Sequence, residues 1–139
     1  MKKKILILSI LTSIFLMLLS CSKDDQTSTT PMPVDSTESF KGVFVNSAHS
    51  TSGKSSVNNE KTKLTFTNFI TDSGPNLKVY LASNISNINA DYKDLGSIKG
   101  INGNYIYDLP TNIDYSVYKY VVIWCVDFNV NFGYSVLAP

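Results

Sequence analysis

The feature that most constrains this chain is a series of short segments rich in β-branched and aromatic residues, each bounded by turn residues. No window shows a convincing helical period, whereas strand signals recur at short spacing. The stronger strand predictions are residues 40–45, 63–69, 77–82, 105–109, 120–128 and 131–137, and the weaker ones are 55–58 and 96–98. The sequence therefore predicts an all-β fold, a single small antiparallel β-sandwich or barrel-like domain.

Turn signals separate these segments. Gly74 and Pro75 lie in one predicted turn, and Pro110 lies in another. Asn102-Gly103 is a pair that two-residue hairpin turns favour, because both central residues of such a turn need positive φ. We therefore expect a tight turn at Asn102-Gly103.

The strand predicted for residues 120–128 gives the most detailed expectation about the core. If pairing is regular, alternate side chains point to opposite faces of the sheet. One face is predicted to be continuous core and carries Val122, Trp124, Val126, Phe128, Val130 and Phe132. The other face passes from apolar to polar residues, with Cys125 at the boundary and Asp127 beyond it. A similar inward row is predicted for Leu77, Val79 and Leu81.

Residues 1–20 predict a lipoprotein signal peptide. Three lysines precede an apolar run from Ile5 to Leu19, which is too short and wrongly flanked for a stable membrane span. The ending Leu18-Leu19-Ser20-Cys21 resembles the bacterial lipobox, in which the Cys is acylated and becomes the first mature residue. We therefore expect a membrane anchor through lipid on Cys21.

Residues 21–38 are rich in Ser, Thr, Pro and Asp and predict a flexible tether in front of a domain at 39–139. Within the tether, Lys23-Asp24-Asp25 resembles the Lys-acid-acid signal that sends some Gram-negative lipoproteins to the cell surface. We expect an outer-membrane lipoprotein whose domain faces either the periplasm or the cell exterior.

The composition excludes several classes of function. The chain has 12 Lys+Arg, all of them lysine, against 11 Asp+Glu, so it offers no basic stripe or guanidinium group for nucleic acid. His49 is the only histidine, which rules out multi-histidine zinc and copper sites. All three Met residues precede residue 39, which removes His/Met haem ligation by the domain. We expect no nucleic-acid partner, no metal site and a role that is not enzymatic.

Cys125 is the remaining candidate for chemistry. With Cys21 lipidated, it is the single thiol of the mature protein, in an oxidising compartment where unpaired Cys is unusual. One interpretation is a redox-active thiol, or a thiolate ligand to haem or another cofactor. The other is a small buried hydrophobe, because free Cys is among the most buried residue types. The residues by themselves favour the second interpretation.

The segment around Cys125 also carries a family resemblance. Val122-Ile123-Trp124-Cys125-x-x-Phe128-x-Val130-x-Phe132-Gly133 resembles the C-terminal signature of the DM-thirteen domain. Phe40-x-Gly42-x-Phe44 and Gly74-Pro75-x-Leu77-x-Val79-Tyr80-Leu81 resemble earlier stretches of that domain, and the similarity covers nearly all of residues 39–139. It implies an all-β fold and an electron-transfer role centred on the family's characteristic Cys, here Cys125. The family tends to have an acidic residue where this chain has Asn76.

Two functional hypotheses result. The first is a lipid-anchored envelope protein with a redox or cofactor-binding role centred on Cys125. In it, His49 is the second ligand or proton partner, Trp124 packs beside the thiol, and haem is the cofactor considered. The alternative is a non-catalytic surface interaction or carbohydrate-binding module, whose contacts would be made by exposed aromatic residues such as Tyr80, Tyr105 and Tyr107.

Overall fold

The computed structural model describes residues 38–139, which form eight β-strands and one short 3-10 helix. The strands are β1 (Glu38–Asn46), β2 (Thr51–Asn58), β3 (Lys63–Thr71), β4 (Leu77–Ala82), β5 (Tyr92–Ser97), β6 (Asn102–Asp108), β7 (Tyr120–Cys125) and β8 (Val130–Val136), and the 3-10 helix is Ile88–Ala90. Each of the eight predicted segments overlaps one strand. The predicted signal peptide, the predicted lipidation site Cys21 and the predicted tether as far as residue 37 lie outside the described residues. In residues 38–139, no helix has the length and hydrophobicity needed to cross a membrane.

The strands form one antiparallel sheet in the order β5-β4-β7-β8-β1-β2-β3-β6. β5 and β6 are the two edges, so the sheet stays open. It is curved into a half-barrel, and the inward faces of both halves pack into one main core. The predicted all-β antiparallel fold is confirmed.

A bulge in β3 enlarges the aromatic part of the main core. Strict alternation would send Phe66 and Phe69 to opposite faces of the sheet. Asn68 has a φ of 49°, and the β3–β6 register shifts between the two phenylalanines, so both are fully buried. Their rings lie 5.0 Å apart, and Phe44 lies within 5.0 Å of each.

The predicted orientation of β7 is wrong in part, because this central strand is buried on both faces. Val121, Ile123 and Cys125 belong to the main core. Val122 and Trp124 instead pack on the outer face of the sheet in a second cluster, whose other buried members are Tyr80, Ala82 and Ile88. The 3-10 helix segment contributes Ile88 to this cluster, which explains how the outer face of a central strand is covered.

β7 also ends earlier than predicted. The strand stops at Cys125, and the next four residues form a turn into β8. Val126 and Phe128, predicted to be core, are therefore exposed at 40% and 69%. The β7–β8 register shifts between Ile123 and Trp124, and Phe132 of β8 is buried in the main core.

The predicted tight turn at Asn102-Gly103 is also wrong. Both residues open β6, where they pair with Ile70 and Phe69 of β3. Gly103 has a φ of 143°, a backbone conformation that favours glycine, and it lies within the edge strand β6. A β5–β6 hairpin is excluded because the two strands occupy opposite edges of the sheet.

Candidate functional site

Cys125 is the last residue of β7, and its side chain is completely buried in the main core. It is paired with Leu77 of β4 on one side and with Val130 of β8 on the other. Its Sγ donates a hydrogen bond to the carbonyl oxygen of Pro75 at 3.0 Å. This hydrogen bond uses the S–H proton, so it exists only while the sulfur is a thiol.

Two short segments adjoin Cys125: the loop of residues 72–76, which we call the covering loop because its Pro75 carbonyl accepts the Sγ hydrogen bond, and the turn of residues 126–129, which follows Cys125 in the chain. The backbone N–H of Val126 donates to the carbonyl of Asn76 at 3.2 Å. The Asn76 side-chain amide donates to the Asp127 carboxylate at 2.8 Å, and this hydrogen bond is exposed. We call this side-chain bond the Asn76–Asp127 latch. Asn76 sits at a φ of 49°, a left-handed conformation that Asn tolerates better than most residues.

His49 lies in the β1–β2 loop and is bound to Asp72, at the start of the covering loop. Its Nδ1 is 3.2 Å from the Asp72 carboxylate, and both side chains are partly exposed. The imidazole stacks on the Phe132 ring with centroids 3.8 Å apart, and the His49 backbone N–H donates to the Phe132 carbonyl. The hydrogen bonds of the described residues join His49 to Asp72 and Phe132, and none joins it to Cys125.

Gly74 allows Phe132 to pack beneath the covering loop. A Cβ at Gly74 would lie 2.6 Å from Cζ of Phe132 and 3.3 Å from the Leu77 side chain. Phe132 and Leu77 both belong to the core that contains Cys125. Phe132 therefore contacts the imidazole of His49 and the covering loop from within the core.

Trp124 adjoins Cys125 in sequence but points to the opposite face of the sheet. Its ring stacks 6.5 Å from that of Tyr80, which in turn stacks 4.1 Å from that of Tyr92. Burial, reinforced by Tyr92, raises the pKa of Tyr80 to about 12. Trp124 thus packs in the outer cluster, away from the thiol.

The aromatic residues considered for a carbohydrate-binding surface are not exposed. Tyr80 and Tyr107 are 4% and 1% exposed, and Tyr105 packs partly buried against the main core. The hydroxyl of Tyr107 accepts a hydrogen bond from the Lys99 backbone at 3.1 Å. These three side chains pack in the interior of the domain. They are therefore not placed to make the surface contacts that the carbohydrate-binding hypothesis assigned to them.

The surroundings of Cys125 do not fit a haem ligand. An axial thiolate must face a space wide enough for a porphyrin. The Cys125 sulfur is instead fully buried, and its S–H group donates a hydrogen bond to the Pro75 carbonyl. His49, the other ligand considered, is turned toward Asp72. Within residues 38–139, no group of three or more His, Cys, Asp or Glu side chains could hold a metal ion.

The covering loop is the part of the site that reasoning from sequence missed. Pro75 and Asn76 lie 50 and 51 residues before the groups that they bind, Cys125 and Asp127. The only available signal was the Gly74-Pro75 stretch, which carried part of the family resemblance. Nothing in the spacing of these residues indicates that the Pro75 carbonyl faces the thiol.

Comparison with known proteins agrees with that resemblance. A family model described as "Electron transfer DM13" matches residues 43–137, which is more than half of the chain and includes β2 to β8. No curated protein and no solved structure matches the chain.

Proposed function

Because the chain belongs to the electron transfer DM13 family, we propose that it is a lipid-anchored protein of the cell envelope with a redox role centred on Cys125. The family indicates a role related to electron transfer. The lipobox-like segment ending at Cys21 supports the anchor, and the Ser/Thr/Pro-rich tether supports a domain held away from the membrane.

The observation that carries the redox proposal is the way in which the only thiol of the described residues is covered. Cys125 has no room to react in the closed structure, but the loop and the turn beside it are joined by one backbone hydrogen bond, from Val126 to Asn76, and by the exposed Asn76–Asp127 latch. Local opening of such segments costs less free energy than global unfolding. The proposed active form is therefore one in which the 72–76 loop has moved off the sulfur.

The proposed reaction is thiol–disulfide exchange with a partner that carries a disulfide. Once uncovered, Cys125 loses its proton and the thiolate attacks one partner sulfur, forming a mixed disulfide. The other partner sulfur leaves as a thiolate and takes up a proton. A second thiol then attacks the partner's sulfur in the mixed disulfide, so Cys125 leaves as a thiolate and regains its proton. Cys125 is thus restored, the second thiol has been oxidised to a disulfide with one partner sulfur, and the other partner sulfur has been reduced to a thiol.

Within this proposal, His49 holds the covering loop in place and does not bind a cofactor. Its contact with Asp72 fixes the start of the loop, and its stacking on Phe132 fixes the imidazole. Trp124 supports β7 from the opposite face. Both residues position the strand and loop around Cys125 without touching the reacting sulfur.

The latch gives a direct test of the proposal. Asn76→Gly removes the side-chain hydrogen bond while keeping a residue that tolerates positive φ. Losing a hydrogen bond worth about 1 kcal/mol should increase opening, so Cys125 should react with an aromatic disulfide reagent about fivefold faster under native conditions. Asn112→Gly is the matched control, since Asn112 has a similar φ of 61° and lies outside the covering loop.

A different result is expected if Cys125 is a buried core residue without a redox role. The thiol would then react at the rate of global unfolding, and any change in either variant would follow its measured stability. Equal native-state rates in the two variants, after correction for stability, would refute the redox proposal. Disulfide exchange that persists in Cys125→Ser would refute it as well.

A further inference from the structure

Three aromatic side chains form a stack on the outer face of the sheet. They belong to three neighbouring strands: Tyr92 to β5, Tyr80 to β4 and Trp124 to β7. The rings of Tyr92 and Tyr80 have centroids 4.1 Å apart and planes at 20°. The rings of Tyr80 and Trp124 have centroids 6.5 Å apart and planes at 26°. We call these three residues the aromatic column.

The aromatic column runs from the interior of the outer cluster to the protein surface. Trp124 and Tyr80 are 8% and 4% exposed, whereas Tyr92 is 37% exposed. Val122 and Ile88 are buried in the same cluster as Trp124 and Tyr80. The indole end of the column is therefore shielded from water, and the Tyr92 end meets the solvent.

Two charged groups beside the buried rings form an ion pair. Lys78 is paired with Trp124 in the sheet, and Asp94 is paired with Tyr80. The Lys78 ammonium lies 3.5 Å from the Asp94 carboxylate. Because their charges are opposite, these two groups together add no net charge beside the aromatic column.

We infer that the aromatic column carries single electrons between its exposed end and the buried indole of Trp124. Indole and phenol rings are among the side chains that lose one electron most easily, and electronic coupling between two rings falls steeply with their separation. Tyr80 lies between Tyr92 and Trp124, so it divides the path into two short steps. The column does not include Cys125, so this inference goes beyond the proposed thiol exchange and does not depend on it.

The inferred reaction begins when a one-electron oxidant takes an electron from the Trp124 indole, whose N–H proton goes to water. Tyr80 then loses one electron and its phenolic proton, and the indole radical gains one electron and one proton. Trp124 is thus restored, and Tyr80 becomes a tyrosyl radical. The same exchange between Tyr92 and Tyr80 moves the radical to Tyr92. There a soluble hydrogen-atom donor such as ascorbate supplies one electron and one proton, so one electron has passed from the donor to the oxidant.

Pulsed photoionisation of the full chain in detergent tests the inference, because Trp124 is the only tryptophan of the chain. Light that indole absorbs and phenol does not creates the Trp124 radical, and transient absorption follows its conversion to a tyrosyl radical. Tyr80→Phe keeps a ring in the stack, removes the phenol and should abolish this conversion. Tyr134→Phe is the matched control and should leave it unchanged. Tyr134 also packs against the outer cluster, but its ring pairs with that of Tyr120 at 6.2 Å.

Tyr92→Phe separates the second step from the first. A tyrosyl radical should still form, now at Tyr80, but ascorbate should reduce it more slowly because Tyr80 is buried. The inference is overturned if the Trp124 radical of the unaltered protein does not convert to a tyrosyl radical, or if Tyr80→Phe and Tyr134→Phe behave alike. Equal rates of reduction by ascorbate in Tyr92→Phe and the unaltered protein would overturn it as well.

Discussion

At the scale of single residues, Tyr80 shows how burial on the outer face of the sheet changes the chemistry of a side chain. It is 4% exposed and stacks between Tyr92 and Trp124. Removal from water is the main cause of its raised pKa, and the neighbouring Tyr92 adds to it. The fold therefore favours the neutral phenol over the phenolate.

This shift predicts a loss of stability at alkaline pH. In the unfolded chain, Tyr80 ionises near its ordinary pKa of 10.0, whereas in the folded protein it stays neutral up to about 12. Its contribution is thus fully present below pH 10 and is lost as the pH rises towards 12. Urea denaturation at several pH values between 9 and 12 should show this decline.

Tyr80→Phe should make the decline shallower, because one of the groups responsible is gone. A remaining slope is expected, since burial also raises the pKa of Tyr107 and Tyr115. An unchanged slope in Tyr80→Phe would contradict the prediction.

At the scale of elements, a buried pair of serines joins strands that are not neighbours in the sheet. Ser55 of β2 and Ser135 of β8 have their hydroxyl oxygens 2.6 Å apart, although β1 lies between the two strands. Gly42 of β1 is paired with Ser55, and a Cβ there would lie 3.1 Å from the Ser55 hydroxyl and 2.6 Å from the Val136 carbonyl. The glycine leaves the space that this hydrogen bond needs.

The serine pair predicts a measurable coupling between the strands. Ser135→Ala should lower the free energy of unfolding by about 1–3 kcal/mol, because it leaves the Ser55 hydroxyl buried without its partner. Ser55→Ala should have a similar effect. The double variant should lose less than the sum of the two single losses, as measured by chemical denaturation. Strict additivity would show that the two hydroxyls do not interact.

At the scale of the whole molecule, the candidate site around Cys125 lies at one end of β7, a central strand of the sheet. The inner face of β7 belongs to the main core, so the Cys125 site is built on a rigid element. The proposed lipid anchor would tie this site to a membrane, and the proposed tether would set its distance from the lipid.

The anchor can be tested with the two cysteines of the chain. Cys21→Ser should abolish incorporation of labelled palmitate and release the protein from the membrane fraction. Cys125→Ser should leave both properties unchanged. Palmitate labelling that persists in Cys21→Ser would contradict the proposed anchor.

Local sequence preferences were enough to predict the backbone class of the domain. Segments rich in β-branched and aromatic residues, bounded by Gly, Pro and Asn, favour strands wherever they lie, so all eight predicted segments overlap observed strands. The inward row Leu77, Val79 and Leu81 was also correct, because alternation within one strand is a local property. The resemblance around Cys125 indicated the family that the comparison then confirmed.

Which faces of the strands are covered, and which distant groups come into contact, depends on how the strands are arranged in three dimensions. Alternation divides the side chains of β7 into two faces, but the partner that packs against each face comes from elsewhere in the chain. Ile88 therefore buries Trp124 on a face that the pattern alone assigns to the main core. The contact of Cys125 with Pro75 likewise joins residues 50 apart in sequence. Such contacts depend on strand order and register, which local propensity does not specify.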